Sequence, residues 1–216
     1  MTVSVDSSPR LSIALLAAGD SARMGTSKHL LPDADGTPVY LSRLTMLRQA
    51  FPDVQDLCLL LRDSSQCSST PIPPELNART ICVDASARGM RPRGPALTFL
   101  AAFSSNTTCH WLFIPCDYPL LTAPELRHLL QQHRDPVTCF ENAQGHTEPL
   151  VGIWNPMALS HIATHFLSSR QHLVELVDRL EGNRIPPLYD HSLFNANTRE
   201  DWDDAIQLLA QSADKS

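Results

Sequence analysis

Residues 11–28 read LSIALLAAGDSARMGTSK, and this stretch decides the fold. Residues 11–18 form an apolar run closed by Gly19, the pattern of a strand buried on both faces. Gly-Asp breaks the run, and a loop carrying Arg23, Gly25 and Lys28 follows.

Outward from this strand, the chain alternates the same two patterns. Residues 39–51 set Leu41, Leu44, Leu47 and Phe51 at helical spacing and stop at Pro52. Residues 57–61 and 80–83 read as further buried strands, separated by a Ser/Pro-rich loop over 64–74. Residues 95–103 predict a helix opened by Pro95 in its first turn, and 111–116 another strand. A helix over 122–133 has Thr122 as N-cap, with Glu125 completing a capping box. Strands are expected over 137–140 and, after a turn at Gly145, over 148–154. Helices follow over 157–166 and 170–180, then an edge strand over 184–189 and a last helix over 198–210 capped by Thr198. This alternation predicts an α/β fold, a single Rossmann-like, doubly wound, mostly parallel sheet over 10–211. The tails 1–9 and 212–216 read as disordered. Ligands of such sheets bind beyond the carboxyl ends of the strands, near the switch point. The chemistry is therefore expected in loops 19–29, 84–95 and 117–121.

Composition narrows the function. The 216 residues are 43% hydrophobic and 19% charged, a globular balance with no apolar stretch long enough to span a bilayer. The net charge is −6, divided as +1 over 1–100 and −7 over 101–216. That argues against a nucleic-acid partner, which calls for a basic face. Only Lys28 and Lys215 are lysines, and there are 8 glycines. Six cysteines contain no CxxC pair, and Cys58, Cys82, Cys116 and Cys139 lie in apolar strand-like runs. Reduced thiols and a cytoplasmic location are expected. Arg10 with the apolar residues 11–18 mimics a signal peptide, but Asp6 precedes the run and Gly-Asp interrupts it. His161 and His165 stand four apart on a helix, with His172 beyond. No Cys or carboxylate completes a metal set with them, so they read as a solvated face.

The first loop is not a dinucleotide fingerprint, which would need glycine at Ser21. Nor is it a Walker A loop, because Thr26 and Ser27 separate Gly25 from Lys28. Backbone N–H groups freed by glycine, with Arg23 and Lys28, make a triphosphate cradle. Taken alone, the same residues also suit an ordinary turn with solvated cations. Asp117, following the 111–116 strand, suits either Mg²⁺ or a turn before Pro119. The basic stretch from Arg88 to Arg93 suits either phosphate contact or a solvated loop.

The ordered string carries more. It runs Leu16-Ala17-Ala18-Gly19-x-Ser21-x-Arg23-Met24-Gly25-x-x-Lys28, then Gly94-Pro95, then Pro115-Cys116-Asp117-Tyr118-Pro119. Glu148-Pro149-Leu150 and Asn195-Ala196-Asn197-Thr198-Arg199-Glu200-Asp201 complete it. Together these five elements resemble the signatures of the MobA-like nucleotidyltransferases, the family of molybdenum cofactor guanylyltransferase and related cytidylyltransferases.

The resemblance implies a fold of the nucleotide-diphospho-sugar transferase type. It also implies attack by a substrate phosphate oxygen on the α-phosphorus of a nucleoside triphosphate, with release of pyrophosphate. Arg23 and Lys28 would hold the triphosphate. Leu16, Ala17, Ala18, Gly19 and Gly25 would bring backbone against the nucleotide. Asp84, Gly94 and Pro95 would also lie at the nucleotide. Asp117 would bind Mg²⁺, with the amide oxygen of Asn197 completing the metal shell. The implied partners are GTP or CTP and a small phosphorylated acceptor, typically molybdopterin, with no membrane involved.

Gly94-Pro95, Pro115-Cys116-Asp117 and residues 195–198 favour GTP. Ala18 and the two-residue spacer before Lys28 lean toward the cytidylyl relatives, and Glu148-Pro149 stands where relatives carry His-Pro. A sugar phosphate as acceptor and a nucleotide-binding protein without turnover are the other readings. The presence of Arg23, Lys28 and Asp117 together weighs against the second.

Overall fold

The computed structural model describes residues 10–19, 27–83, 94–165 and 170–213. Strand β1 (Leu11–Leu16) pairs in parallel with β2 (Asp56–Leu61) on one side and β4 (His110–Pro115) on the other. Strand β2 pairs in parallel with β3 (Ala78–Cys82). Beyond β4 lie β6 (Thr147–Trp154), β5 (Val137–Glu141) and β7 (Asn183–Ile185), so the order is β3-β2-β1-β4-β6-β5-β7. Strand β6 runs antiparallel to both its neighbours, and β7 is parallel to β5.

The apolar runs are continuous because alternate residues feed two different cores. On one face Ile13, Leu15, Leu57, Leu59, Leu112 and Ile114 pack with Leu44 and Leu47 of α1 (Val39–Ala50). Leu126 and Leu129 of α4 (Ala123–Gln131) and Trp202 of α7 (Arg199–Ala213) complete that layer. On the other face Ala14, Leu16, Cys58, Leu60, Trp111 and Phe113 pack with Phe99 of α3 (Pro95–Ser105). The helices α5 (Pro156–His165) and α6 (Arg170–Arg179) add Leu159, Ile162, Leu173 and Val177 there. Removing one fully buried leucine such as Leu59 costs about 3 kcal/mol through lost transfer energy and the cavity left behind.

Three expectations are corrected. The 64–74 segment is not all loop: it holds a short helix, α2 (Ser64–Ser69), which Asp63 caps by accepting from the backbone N–H groups of Ser65 and Gln66. The edge strand is only Asn183–Ile185, because Pro186 and Pro187 have no N–H to continue a ladder. Cys82 is exposed on the edge strand β3 and joined to Cys67 by a disulfide, so it is neither buried nor a free thiol. Cys58, Cys109, Cys116 and Cys139 are free and buried. Burial pushes the Cys116 and Cys139 thiols up to about 12, leaving them inert. Among the described residues no helix is long and apolar enough to cross a membrane.

Candidate active site

The chain leaves β1 for β2 and β3 on one side, then returns to β4 on the other. The carboxyl ends of β1 and β4 therefore adjoin at a switch point, with Leu16 opposite Pro115 and the Cys116 N–H donating to the Leu16 carbonyl at 3.0 Å. Lys28 follows β1 and Asp117 follows β4. The Lys28 ammonium donates to Asp117 Oδ2 at 2.8 Å and to the Ala196 carbonyl at 3.1 Å. The Ala196 N–H in turn donates to the Asp117 carbonyl at 2.9 Å. Three segments that are remote in sequence meet at one charged pair. Its side chains are 14% and 20% exposed, so the pair is shielded yet reachable.

The surrounding residues hold this junction in place. Arg43, buried on α1, donates through its guanidinium to the carbonyls of Pro119 and Leu121 and so pins the turn that carries Asp117. Burial lowers its pKa, but from a value so high that the guanidinium stays charged. The Tyr118 hydroxyl donates to the buried Glu148 carboxylate, whose other oxygen accepts from the Leu150 N–H at 3.1 Å. The Asn195 side-chain amide reaches the Tyr118 oxygen at 3.4 Å, and its buried Oδ1 has no hydrogen-bond partner.

Segment 195–198 is fixed by the start of α7. The Thr198 hydroxyl accepts from the Asp201 N–H, and Asp201 Oδ2 accepts from the N–H groups of Asn197 and Thr198. Those donors hold the Asp201 carboxyl below its ordinary pKa. Thr198 is thus the N-cap expected from the sequence. Glu125 is not the capping partner expected. Thr122 makes no side-chain cap bond, and the fully buried Glu125 carboxylate accepts instead from the N–H groups of Leu188 and Tyr189 and from the Ser192 hydroxyl. Those three donors, over 60 residues away in sequence, outcompete the local cap because they would otherwise be left without acceptors.

Of the residues singled out from the sequence, Lys28, Asp117 and the 195–197 segment come together, beyond the strand end formed by Leu16, Ala17, Ala18 and Gly19. Among the described residues, a Cβ added at Gly19 would meet nothing within 4 Å. Gly94 does need to be glycine: its φ of 88° and ψ of −166° open α3, with Pro95 as the first helical residue. The Asn197 side chain turns its amide nitrogen to the Asn195 carbonyl at 3.3 Å. Arg23, Gly25, Asp84 and the basic stretch 88–93 lie outside the described residues.

Sequence reasoning missed Arg43 and the structural role of Glu125. Arg43 carried a legible signal, since it shares the core-facing stripe of α1 with Tyr40, Leu44 and Leu47. A charge in that stripe marks a buried polar clamp. Glu125 gave no such signal, because its position in the first turn of a helix already had a local explanation.

A mostly parallel, doubly wound sheet with a Lys–Asp pair at its switch point defines an α/β protein of the nucleotidyltransferase fold. The MobA-like NTP transferase domain matches residues 13–184, and the chain belongs to that family; it is a nucleotidyltransferase. It is 28% identical over 200 residues to the probable molybdenum cofactor guanylyltransferase of Rhodopirellula baltica, covering 89% of this chain and 90% of that one. The same fold occurs in the molybdopterin-guanine dinucleotide biosynthesis protein A of Archaeoglobus fulgidus, at a TM-score of 0.69 and 20% identity, covering 93% of this chain and 99% of the other. A Mycobacterium tuberculosis protein solved as a complex with manganese matches at a TM-score of 0.65 and 17% identity, covering 92% of this chain and 98% of the other.

Proposed function

We propose that this nucleotidyltransferase moves GMP from GTP to a terminal phosphate of molybdopterin. An acceptor phosphate oxygen attacks the α-phosphorus, the new P–O bond forms as the α–β bridge breaks, and pyrophosphate leaves with the electron pair. The observation that carries this reading is the Lys28–Asp117 pair held at the β1/β4 junction. The guanylyltransferase name of the relative from Rhodopirellula baltica supports the choice of nucleotide and acceptor.

Such a displacement needs charge stabilisation and alignment rather than covalent help. Lys28, with Arg23, meets the charge that develops on the pyrophosphate. A triphosphate competes with Asp117 for the Lys28 ammonium, and its arrival frees the Asp117 carboxylate. Among the described residues nothing crowds Gly19, which suits a phosphate against the backbone.

The donors around Asp117 suit Mg²⁺. They are its carboxylate and the Ala196 carbonyl, with the amide oxygens of Asn195 and Asn197 on the same segment, all hard oxygens. When bound, the ion neutralises the phosphate oxygens. The manganese complex of the Mycobacterium tuberculosis protein supports a divalent ion. The buried Tyr118–Glu148 hydrogen bond braces the turn that carries Asp117.

A thermal-shift panel of the four nucleoside triphosphates with Mg²⁺ tests the reading, since a ligand stabilises in proportion to ln(1 + [L]/Kd). GTP is expected to give the largest shift. A larger shift with CTP selects the second reading, a cytidylyltransferase, which Ala18 and the short spacer before Lys28 favour. Indifference to all four overturns both.

A further inference from the structure

The amino end of β4 carries a second polar cluster, at the opposite end of the strand from Asp117. His110 opens β4, His133 follows α4, and Asp135 stands just before β5. His110 Nε2 lies 2.8 Å from Asp135 Oδ1, and His133 Nε2 lies 3.4 Å from the same oxygen. The two rings meet edge to face, with centroids 5.3 Å apart. One ligand atom from each of the three residues lies within 4.8 Å of the others, the one such group among the described residues.

A structural hydrogen bond explains only part of this. It accounts for His110 Nε2, with His133 Nε2 at a longer 3.4 Å from the same carboxylate, whereas His110 Nδ1 and both nitrogens of His133 are buried and make no hydrogen bond among the described residues. Buried imidazole nitrogens without hydrogen bonds are costly unless something else uses their lone pairs.

We propose that His110, His133 and Asp135 form a binding site for a zinc-like divalent transition metal, separate from the nucleotide site. Two imidazoles and a carboxylate are a borderline donor set that suits Zn²⁺ and Co²⁺, whereas Mg²⁺ prefers oxygen. Ligand bonds of about 2.0–2.1 Å put tetrahedral ligand atoms about 3.3 Å apart, and the two separations from Asp135 bracket that value. Rotation of the His133 ring closes the set. The Asp135 side chain is 60% exposed, which leaves the fourth position to water. The ion ties together the start of β4, the end of α4 and the start of β5, so its role is structural.

The test uses the full-length protein, stripped with a chelator with its Cys67–Cys82 disulfide intact, and titrated calorimetrically with Zn²⁺, Co²⁺ and Mg²⁺. The expected result is saturable binding of one Zn²⁺ that raises the melting temperature and persists in Asp117→Ala, with no comparable response to Mg²⁺. Co²⁺ should give visible d–d bands without thiolate charge-transfer absorption, which separates this site from the cysteines. His133→Ala should weaken Zn²⁺ binding at least tenfold. If that variant fails to fold, Asp135→Asn carries the same expectation with the cluster's shape retained. No saturable Zn²⁺ binding, affinity within twofold of wild type in the folded variant, or a thiolate band with Co²⁺ would each overturn the proposal. Because none of these readouts involves nucleotide, failure here is distinguishable from failure of the guanylyl reading.

Discussion

The turn after β4 and the first turn of α4 each carry a carboxylate, Asp117 and Glu125, and hold them in opposite ways. Asp117 is one-fifth exposed and pairs with one lysine, a partner that the proposed triphosphate would draw away. Glu125 is fully buried and accepts from two backbone N–H groups and one hydroxyl, none of which can leave. An exchangeable partner leaves a carboxylate available for chemistry. Fixed donors turn the same group into a structural strut that holds the chain at Leu188, Tyr189 and Ser192 against the first turn of α4.

The largest expected effect separates the two roles directly. Asp117→Ala should lower the rate of pyrophosphate release by about 10²–10³-fold, the loss typical of one electrostatic contact to a transition state. Its unfolding free energy should stay within about 1 kcal/mol of wild type, because a partly exposed pair contributes little to stability. Denaturant titration beside a pyrophosphate assay measures both, and a collapse of stability would erase the contrast.

Glu125→Ala should do the reverse. It strands three donors in the interior and should cost about 3 kcal/mol in unfolding free energy. Glu125→Gln, which keeps one acceptor, should lose roughly half as much. Equal losses in the two variants would show that packing, not hydrogen bonding, holds the 188–192 segment.

Gly94→Ala should fall between the two roles. A side chain at φ 88° and ψ −166° is strained by about 2 kcal/mol, and relief of that strain shifts the start of α3. Nucleotide affinity and melting temperature should therefore fall together. A variant as stable as wild type would mean that the backbone at 94 tolerates a side chain.

The smallest effect concerns pH. His29, beside the Lys28 anchor, is buried against Thr70 and the Tyr40 ring, and burial, then the nearby Arg62 charge, lower its pKa below the ordinary 6.5. The folded state disfavours the protonated ring, so the stability present above pH 6.5 is lost as pH falls toward the folded-state value. Chemical denaturation at pH 7.5 and 5.5 should show that decline, and His29→Gln should flatten it. A profile unchanged by the substitution would assign the decline to other groups.

Much of this was legible in the sequence. The boundaries of β1, β2 and β4 lie within two residues of those read from apolar runs, because burial on both faces leaves a plain local pattern. Lys28 and Asp117 were singled out through an ordered string and the structure brings them together, while Thr198 was legible as an N-cap and is one. Glu125 was misread because a local cap and a distant strut call for the same residue type. The Cys67–Cys82 bond left no pattern, and His110 lies too far in sequence from His133 and Asp135 for the three to show a ligand spacing.

The sequence by itself determined which segments would be strands and helices, and which loops would carry charge. Those properties depend on neighbours within a few residues, through periodicity, proline and glycine. Only the tertiary structure decided that β6 runs antiparallel beside β4, that Ala196 anchors both Lys28 and Asp117, and that the amide oxygen of Asn195 is buried without a hydrogen bond. Each of those is a choice among partners distant in the chain. It is made by whichever arrangement buries the two apolar faces while leaving the fewest polar atoms unpaired.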